Sequence, residues 1–265
     1  MNSDSIVKPI KGKNPPDPGR IGLVVATAAD IPLFRRNMEC LNKKEKSRKV
    51  MMSRLYKGCS DFSHVSLTGP FMGAPYAAMI LETLISWGAS DFIFFGWCGA
   101  ISSDVHSGDI ILVSKAIIDE GLSSHYRIGT QDIDQYKIQS RNEYRKKSSD
   151  IDFSAPSPDL FKRLADRFEK NNVSFITGPV WTTDAIFRET PEKVLFFQSK
   201  GALAVEMEMS AMFSVAEFAQ VNMAGVLVVS DELSTLSWQP GFNDDRFHAG
   251  REAAIRVVCD YVKSN

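Results

Sequence analysis

Short apolar runs rich in β-branched residues recur along this chain, and segments with helical spacing separate them, which confines the fold to a strand–helix alternation. Ile21–Thr27, Phe62–Thr68, Asp91–Gly96, Asp109–Ile118, Val173–Thr177, Ala202–Val205 and Ala224–Ser230 read as strands. Several are apolar at nearly every position, as strands buried on both faces are. Between them, Gly73–Trp87 places Ala77, Ile80, Leu81, Leu84 and Ile85 on one stripe and stops at Gly88. Ser157–Asn171 opens with a Ser cap and Pro158, then sets Leu160, Phe161, Leu164 and Phe168 on one face. Met207–Gln220 and Arg246–Ser264 complete the helices. This continuous pattern predicts a single α/β domain over residues 21–265, a central mixed β-sheet flanked by helices in three α/β/α layers. Residues 1–20, polar and Pro-rich, read as a flexible N-terminal tail.

Charge and cysteine usage narrow the function classes. Lys plus Arg total 31 against 32 Asp plus Glu, a net charge of -1, which excludes a globally basic nucleic-acid binder. Cys40, Cys59, Cys98 and Cys259 form no C-x-x-C pair, so neither a zinc ribbon nor a disulfide scaffold is indicated. His64, His106 and His248 have no ligand-like spacing, and no metal is assigned. The apolar runs fall far short of the roughly 20 residues that span a bilayer. A soluble cytoplasmic protein with free thiols is expected. Two segments interrupt the alternation. Residues 39–57 carry Lys43, Lys44, Lys46, Arg48, Lys49, Arg54 and Lys57 and read as a solvated loop leading into an edge strand. Residues 129–156 read as a long polar surface excursion.

In open α/β sheets ligands bind beyond the carboxyl ends of the strands, so polar residues just after apolar runs are the first site candidates. Ala224–Val229 leads into Ser230-Asp231-Glu232, Ala202–Val205 into Glu206-Met207-Glu208, and Phe92–Phe95 into Gly96-Trp97-Cys98-Gly99-Ala100. Asp231, ending an apolar run, suits two roles: holding or delivering a proton, and capping a turn or helix. Glu206 and Glu208 cannot point the same way; one faces a site and the other solvent or a backbone N-terminus. A carboxylate that accepts two neighbouring hydroxyls holds a sugar diol without a metal. Asp30 reads as the N-cap of a helix opening at Ile31-Pro32.

Val205-Glu206-Met207-Glu208 with Ala211, followed by Val229-Ser230-Asp231, resembles the nucleoside phosphorylase family, which includes purine nucleoside and uridine phosphorylases and the methylthioadenosine/adenosylhomocysteine nucleosidases. Met72-Gly73-Ala74-Pro75, the G-x-x-G-A loop at Gly96–Ala100, Gly108-Asp109, Asp119-Glu120-Gly121 with Ser124-His125-Tyr126, and Thr183-Asp184 with Ile186-Phe187 match in order. The resemblance implies cleavage of a nucleoside N-glycosidic bond through an oxocarbenium-like transition state, without a cofactor, by a dimer or trimer of dimers. It implies Asp231 as the acid for the departing base, with Arg246 assisting. It also implies Glu208 at the ribose hydroxyls with Glu206 beside it, and Met207 against the ribose. Ile186 and Phe187 then lie at the base, with Trp97 and His125 lining the pocket. Inorganic phosphate is the implied co-substrate. However, Phe94 and Trp97 stand where phosphorolytic members carry an arginine and a hydroxyl, leaving Arg35 as a replacement ligand and Asp30 as a water-activating carboxylate. Both acceptors, phosphate and water, stay open, as does a non-catalytic nucleoside binder. A purine is the preferred base, because Thr190–Glu192 lack the uracil-reading residues.

Overall fold

In the computed structural model, which describes residues 5–9, 11–38, 47–127 and 151–265, eleven strands form one mixed sheet. They are β1 (Ile21–Val25), β2 (Arg48–Val50), β3 (Ser53–Lys57), β4 (Val65–Gly69), β5 (Asp91–Ala100), β6 (Ile110–Asp119), β7 (Phe153–Ser154), β8 (Ile176–Thr183), β9 (Ala204–Glu206), β10 (Asn222–Glu232) and β11 (Gln239–Pro240). The helices are α1 (Ile31–Asn37), α2 (Ala74–Trp87), α3 (Ser123–Arg127), α4 (Pro158–Lys170), α5 (Pro191–Ser199), α6 (Met209–Ala219) and α7 (Asp245–Lys263). Cys40, Lys43, Lys44 and Lys46 of the basic segment lie outside the described residues, as does 128–150 of the polar excursion.

β1 is buried at all five positions, as its unbroken apolar sequence predicts, and runs parallel to both β4 and β5. β5 is the hub. It pairs with β1 through its first half, with β9 at Gly99 and Ala100, and with β10 along its whole length. The β5–β10 ladder closes β10, β6, β8, β9 and β5 into a ring, from which β1, β4, β3 and β2 extend.

Apolar side chains leave the sheet on both faces, so helices cover both. Ile21, Leu23, Ile93, Phe95, Val226 and Val228 meet Phe34, Leu164, Phe168, Phe247, Ile255 and Val258 of α1, α4 and α7. On the other face Val24, Phe92, Phe94, Leu227 and Val229 meet Ile80, Leu84, Met212 and Phe213 of α2 and α6. Burying a large side chain of this kind contributes about 1.5–3 kcal/mol. A third cluster, Trp181 stacked on Phe197 at 4.2 Å with Val194 and Val205, fastens α5 over the ring.

Two sequence expectations change. Gly96–Ala100 is not a loop: β5 runs through it because β10 continues the ladder to Glu232. α5 was not anticipated, although Thr190, whose hydroxyl accepts the Lys193 N–H, and Pro191 form a clear start signal.

Candidate active site

The carboxyl ends of β1, β4, β5 and β10 point to one edge, and β9 meets them there antiparallel to β5. Asp231 is aimed by an irregularity. The β5–β10 register places Val229 opposite Cys98 and Asp231 opposite Gly99, leaving Ser230 as an extra residue. Such a bulge re-aims the side chain that follows it. Ser230 Oγ lies 2.6 Å from Asp231 Oδ1, and the indole N–H of Trp238 donates to Oδ2 at 2.9 Å. A Cβ on Gly99 would stand 3.0 Å from that Oδ2 and 2.6 Å from Leu233, so the carboxylate uses space that only glycine leaves.

The two glutamates of V-E-M-E-M divide as the alternation requires. Glu206 Oε2 accepts the backbone N–H groups of Glu208 and Met209, each at 2.7 Å, which caps α6 and delays its start to Met209. Thr182 donates its hydroxyl to the other oxygen. Glu208 turns instead toward α2, where Oε1 accepts the Gly73 N–H at 2.5 Å. Gly73 supplies that donor with φ 84°, a backbone conformation that glycine adopts without strain. Both carboxylates are buried, which pushes each above the ordinary glutamate range; for Glu208 the charge of Glu206 adds to the effect. Cys98 lies within the field of Asp231 and Glu206. Burial first, then the charges of Asp231 and Glu206, raise its thiol well above the usual value. Glu189, beside α5, is pushed up to about 7 by burial and then by Asp231, against the opposing pull of Lys193.

A second constellation lies across Trp97. Asp30 is 0% exposed and does not cap α1 with its side chain. Its Oδ1 accepts Nε and Nη2 of Arg251 at 2.9 and 2.6 Å, while Oδ2 accepts the Trp97 indole N–H at 2.7 Å and the Thr27 hydroxyl. Asp30 thus holds the expected N-cap position of α1, but its carboxylate goes to a buried guanidinium, a stronger partner than backbone N–H groups at the helix end.

Other candidates stand apart from these contacts. Arg246 is exposed, its Nε 3.5 Å from Asp244 Oδ2. Arg35 lies over the Tyr56 ring at 4.7 Å. Phe187 is 96% exposed and Ile186 half-exposed, on the turn between β8 and α5. His125 is exposed on α3, and Met207 joins β9 to α6. Sequence reading missed Arg251, Trp238, Thr182 and the Gly73 N–H. One signal was available: Phe247, Arg251, Ala254, Ile255 and Val258 share one helical stripe, so a cation stands among apolar residues. Among the described residues, no group of three His, Cys, Asp or Glu side chains could hold a metal ion.

The family model of the Phosphorylase superfamily matches residues 20–263. The chain belongs to the phosphorylase superfamily. It is similar to a guanosine phosphorylase of Halorubrum lacusprofundi, 23% identical over 94% of this chain and 90% of the relative. A DeoD-type purine nucleoside phosphorylase of Bacillus cytotoxicus is 31% identical over 68% of this chain and 67% of the relative. Purine nucleoside phosphorylase from Toxoplasma gondii, solved with immucillin-H, shares the fold with a TM-score of 0.74 at 16% identity, covering 94% of this chain and 92% of that one. As a phosphorylase-superfamily member, the chain is a pentosyltransferase-type enzyme that cleaves a nucleoside glycosidic bond.

Proposed function

We propose that this enzyme releases the base of a purine nucleoside by phosphorolysis, with Asp231 as the acid and Glu208 as the ribose-binding carboxylate. The observation that carries the reading is the shared strand end at Gly99. Gly99 pairs with Asp231 on one side and with Val205, the residue that leads into Glu206-Met207-Glu208, on the other, while the Ser230 bulge re-aims Asp231 and the Gly73 N–H holds Glu208.

The C1′–N bond breaks as a phosphate oxygen bonds to C1′, giving free base and ribose 1-phosphate. Asp231 gives a proton, or a strong hydrogen bond, to the base nitrogen that takes the electron pair. Glu208 accepts the 2′- and 3′-hydroxyls as positive charge builds on the ring. Met207 lies against the ribose, while Ile186 and Phe187 form the base wall. Glu206, occupied by the α6 N-terminus, positions its neighbour. Arg246, Arg35 and His125 enter only as the chain or a partner subunit rearranges, within a homo-oligomer. Inorganic phosphate is the co-substrate and no other cofactor takes part.

One observation favours a second reading, with water as acceptor: the anion already buried beside Trp97 is the chain's own Asp30. Product analysis separates the two. Ribose 1-phosphate formed only with added phosphate supports phosphorolysis, whereas free ribose formed without phosphate overturns it. A nucleoside bound without any base release overturns both. Among the described residues no helix is long and apolar enough to cross a membrane, and a cytoplasmic location is proposed.

A further inference from the structure

Arg251 has no assigned part in this chemistry, although it stands in a buried ion pair with Asp30 and such pairs are costly. Replacing one with apolar side chains is often neutral or stabilising. Arg251 does more than neutralise Asp30. Its guanidinium lies 4.9 Å from the Trp97 ring centre and 5.1 Å from that of Phe247, and Nη1 is 3.4 Å from His248 Nδ1. Trp97 is therefore held twice, at its N–H by Asp30 and at its ring by the cation.

From Trp97 the contacts lead to Asp231. The Trp97 ring meets Phe247 edge-on at 5.0 Å and Phe242 at 6.1 Å. Phe242 meets Trp238 at 6.3 Å, and Trp238 donates to Asp231 at 2.9 Å. Trp238 is 61% exposed, so its own burial does little to hold it over the carboxylate. The buried end of this aromatic row is the Arg251 end.

We propose that Arg251 is a positioning residue of the active site: through Asp30 and Trp97 it fixes the row Trp97–Phe242–Trp238 that orients the Asp231 carboxylate. The inference rests on the role given to Asp231 above. Lysine would keep the charge beside Asp30 but lose the fork that grips Oδ1 and the flat face that covers Trp97.

The test compares Arg251→Lys, Trp97→Phe and Trp238→Phe with the wild-type chain, using guanosine with inorganic phosphate. Arg251→Lys and Trp97→Phe are each expected to lower kcat about tenfold while moving KM less than about threefold. In protein labelled with 15N-tryptophan, the indole signal that Trp238→Phe removes should shift in Arg251→Lys. The double variant Arg251→Lys/Trp238→Phe should be within about twofold of the slower single variant, because both changes break one row. Multiplicative losses in the double variant, or an unmoved Trp238 indole signal, overturn the proposal. If Arg251→Lys does not fold, Asp30→Asn/Arg251→Met carries neither buried charge and is read by the same signal and the same cycle. Asp231→Asn separates the two levels: full turnover there removes the acid itself, whereas a dead Asp231→Asn beside multiplicative losses removes only the role of Arg251.

Discussion

Gly73 donates its backbone N–H to Glu208 across 135 residues of sequence, tying the entrance of α2 to the start of α6 at a distance of 2.5 Å. The bond leaves Oε2 of Glu208 free of this contact and holds the carboxylate at the edge where the strands end. Glu208→Gln keeps the shape and the Gly73 contact but puts an amide NH2 where the second carboxyl oxygen would accept a ribose hydroxyl. A buried polar group left without its partner costs about 1–3 kcal/mol, so KM for the nucleoside should rise about tenfold, with kcat less affected. Steady-state kinetics over a nucleoside series checks this, and an unchanged KM removes Glu208 from the ribose.

Asp231→Asn preserves the side-chain volume and cannot deliver a proton. Turnover should fall by about 10²–10⁴-fold, with nucleoside affinity largely retained. Base release together with equilibrium binding of the nucleoside decides it. Wild-type turnover in this variant would falsify the acid assignment.

Gly99→Ala tests the space beneath the acid. Its Cβ would stand 2.6 Å from Leu233 and 3.0 Å from Asp231 Oδ2, so one of them must move. Overpacking of this kind costs about 1–3 kcal/mol, and here it also displaces the acid. Stability and kcat should fall together, the latter by more than tenfold at roughly 1.4 kcal/mol per decade. Thermal unfolding and kcat measured on the same preparation report both.

The pH dependence of stability follows from Glu189, Glu206 and Glu208. Folding raises all three, and Glu189 moves from 4.5 to about 7. The folded chain therefore holds more protons than the unfolded chain above the ordinary glutamate range. For Glu189 the stability contributed by the protonated form is full at low pH and is lost as pH rises from about 4.5 through about 7, and Glu206 and Glu208 act in the same direction. Calorimetry across that window should show a falling melting temperature. Glu189→Gln should flatten part of the fall, and an unchanged slope in that variant excludes Glu189 as a contributor.

Much of the fold was legible because burial on both faces of a strand leaves a sequence trace. Ile21–Val25 and Ala224–Val229 are apolar at almost every position, and α4 shows its stripe and its Pro158 start. The candidate site was legible only as position: Asp231 and Glu208 stand where apolar runs end, and the roles given to them are proposals. The local sequence of Asp30, Asp before Ile-Pro, marks the N-cap position that it occupies but carries no trace of what its side chain bonds. Its true partner is 221 residues away.

The amino-acid order alone determined most of the long strands and helices and which polar residues follow the apolar runs, since periodicity and local capping act over a few neighbours; the extension of β5 through Gly96–Ala100 needed β10 beside it. Tertiary structure decided how those groups are paired: Asp30 with Arg251, Glu208 with Gly73, and Asp231 with Trp238. The first two pairings join residues 221 and 135 positions apart, and the third closes the turn between β10 and β11. A hydrogen bond depends on angstroms of separation, and only the packed sheet and helices set that separation.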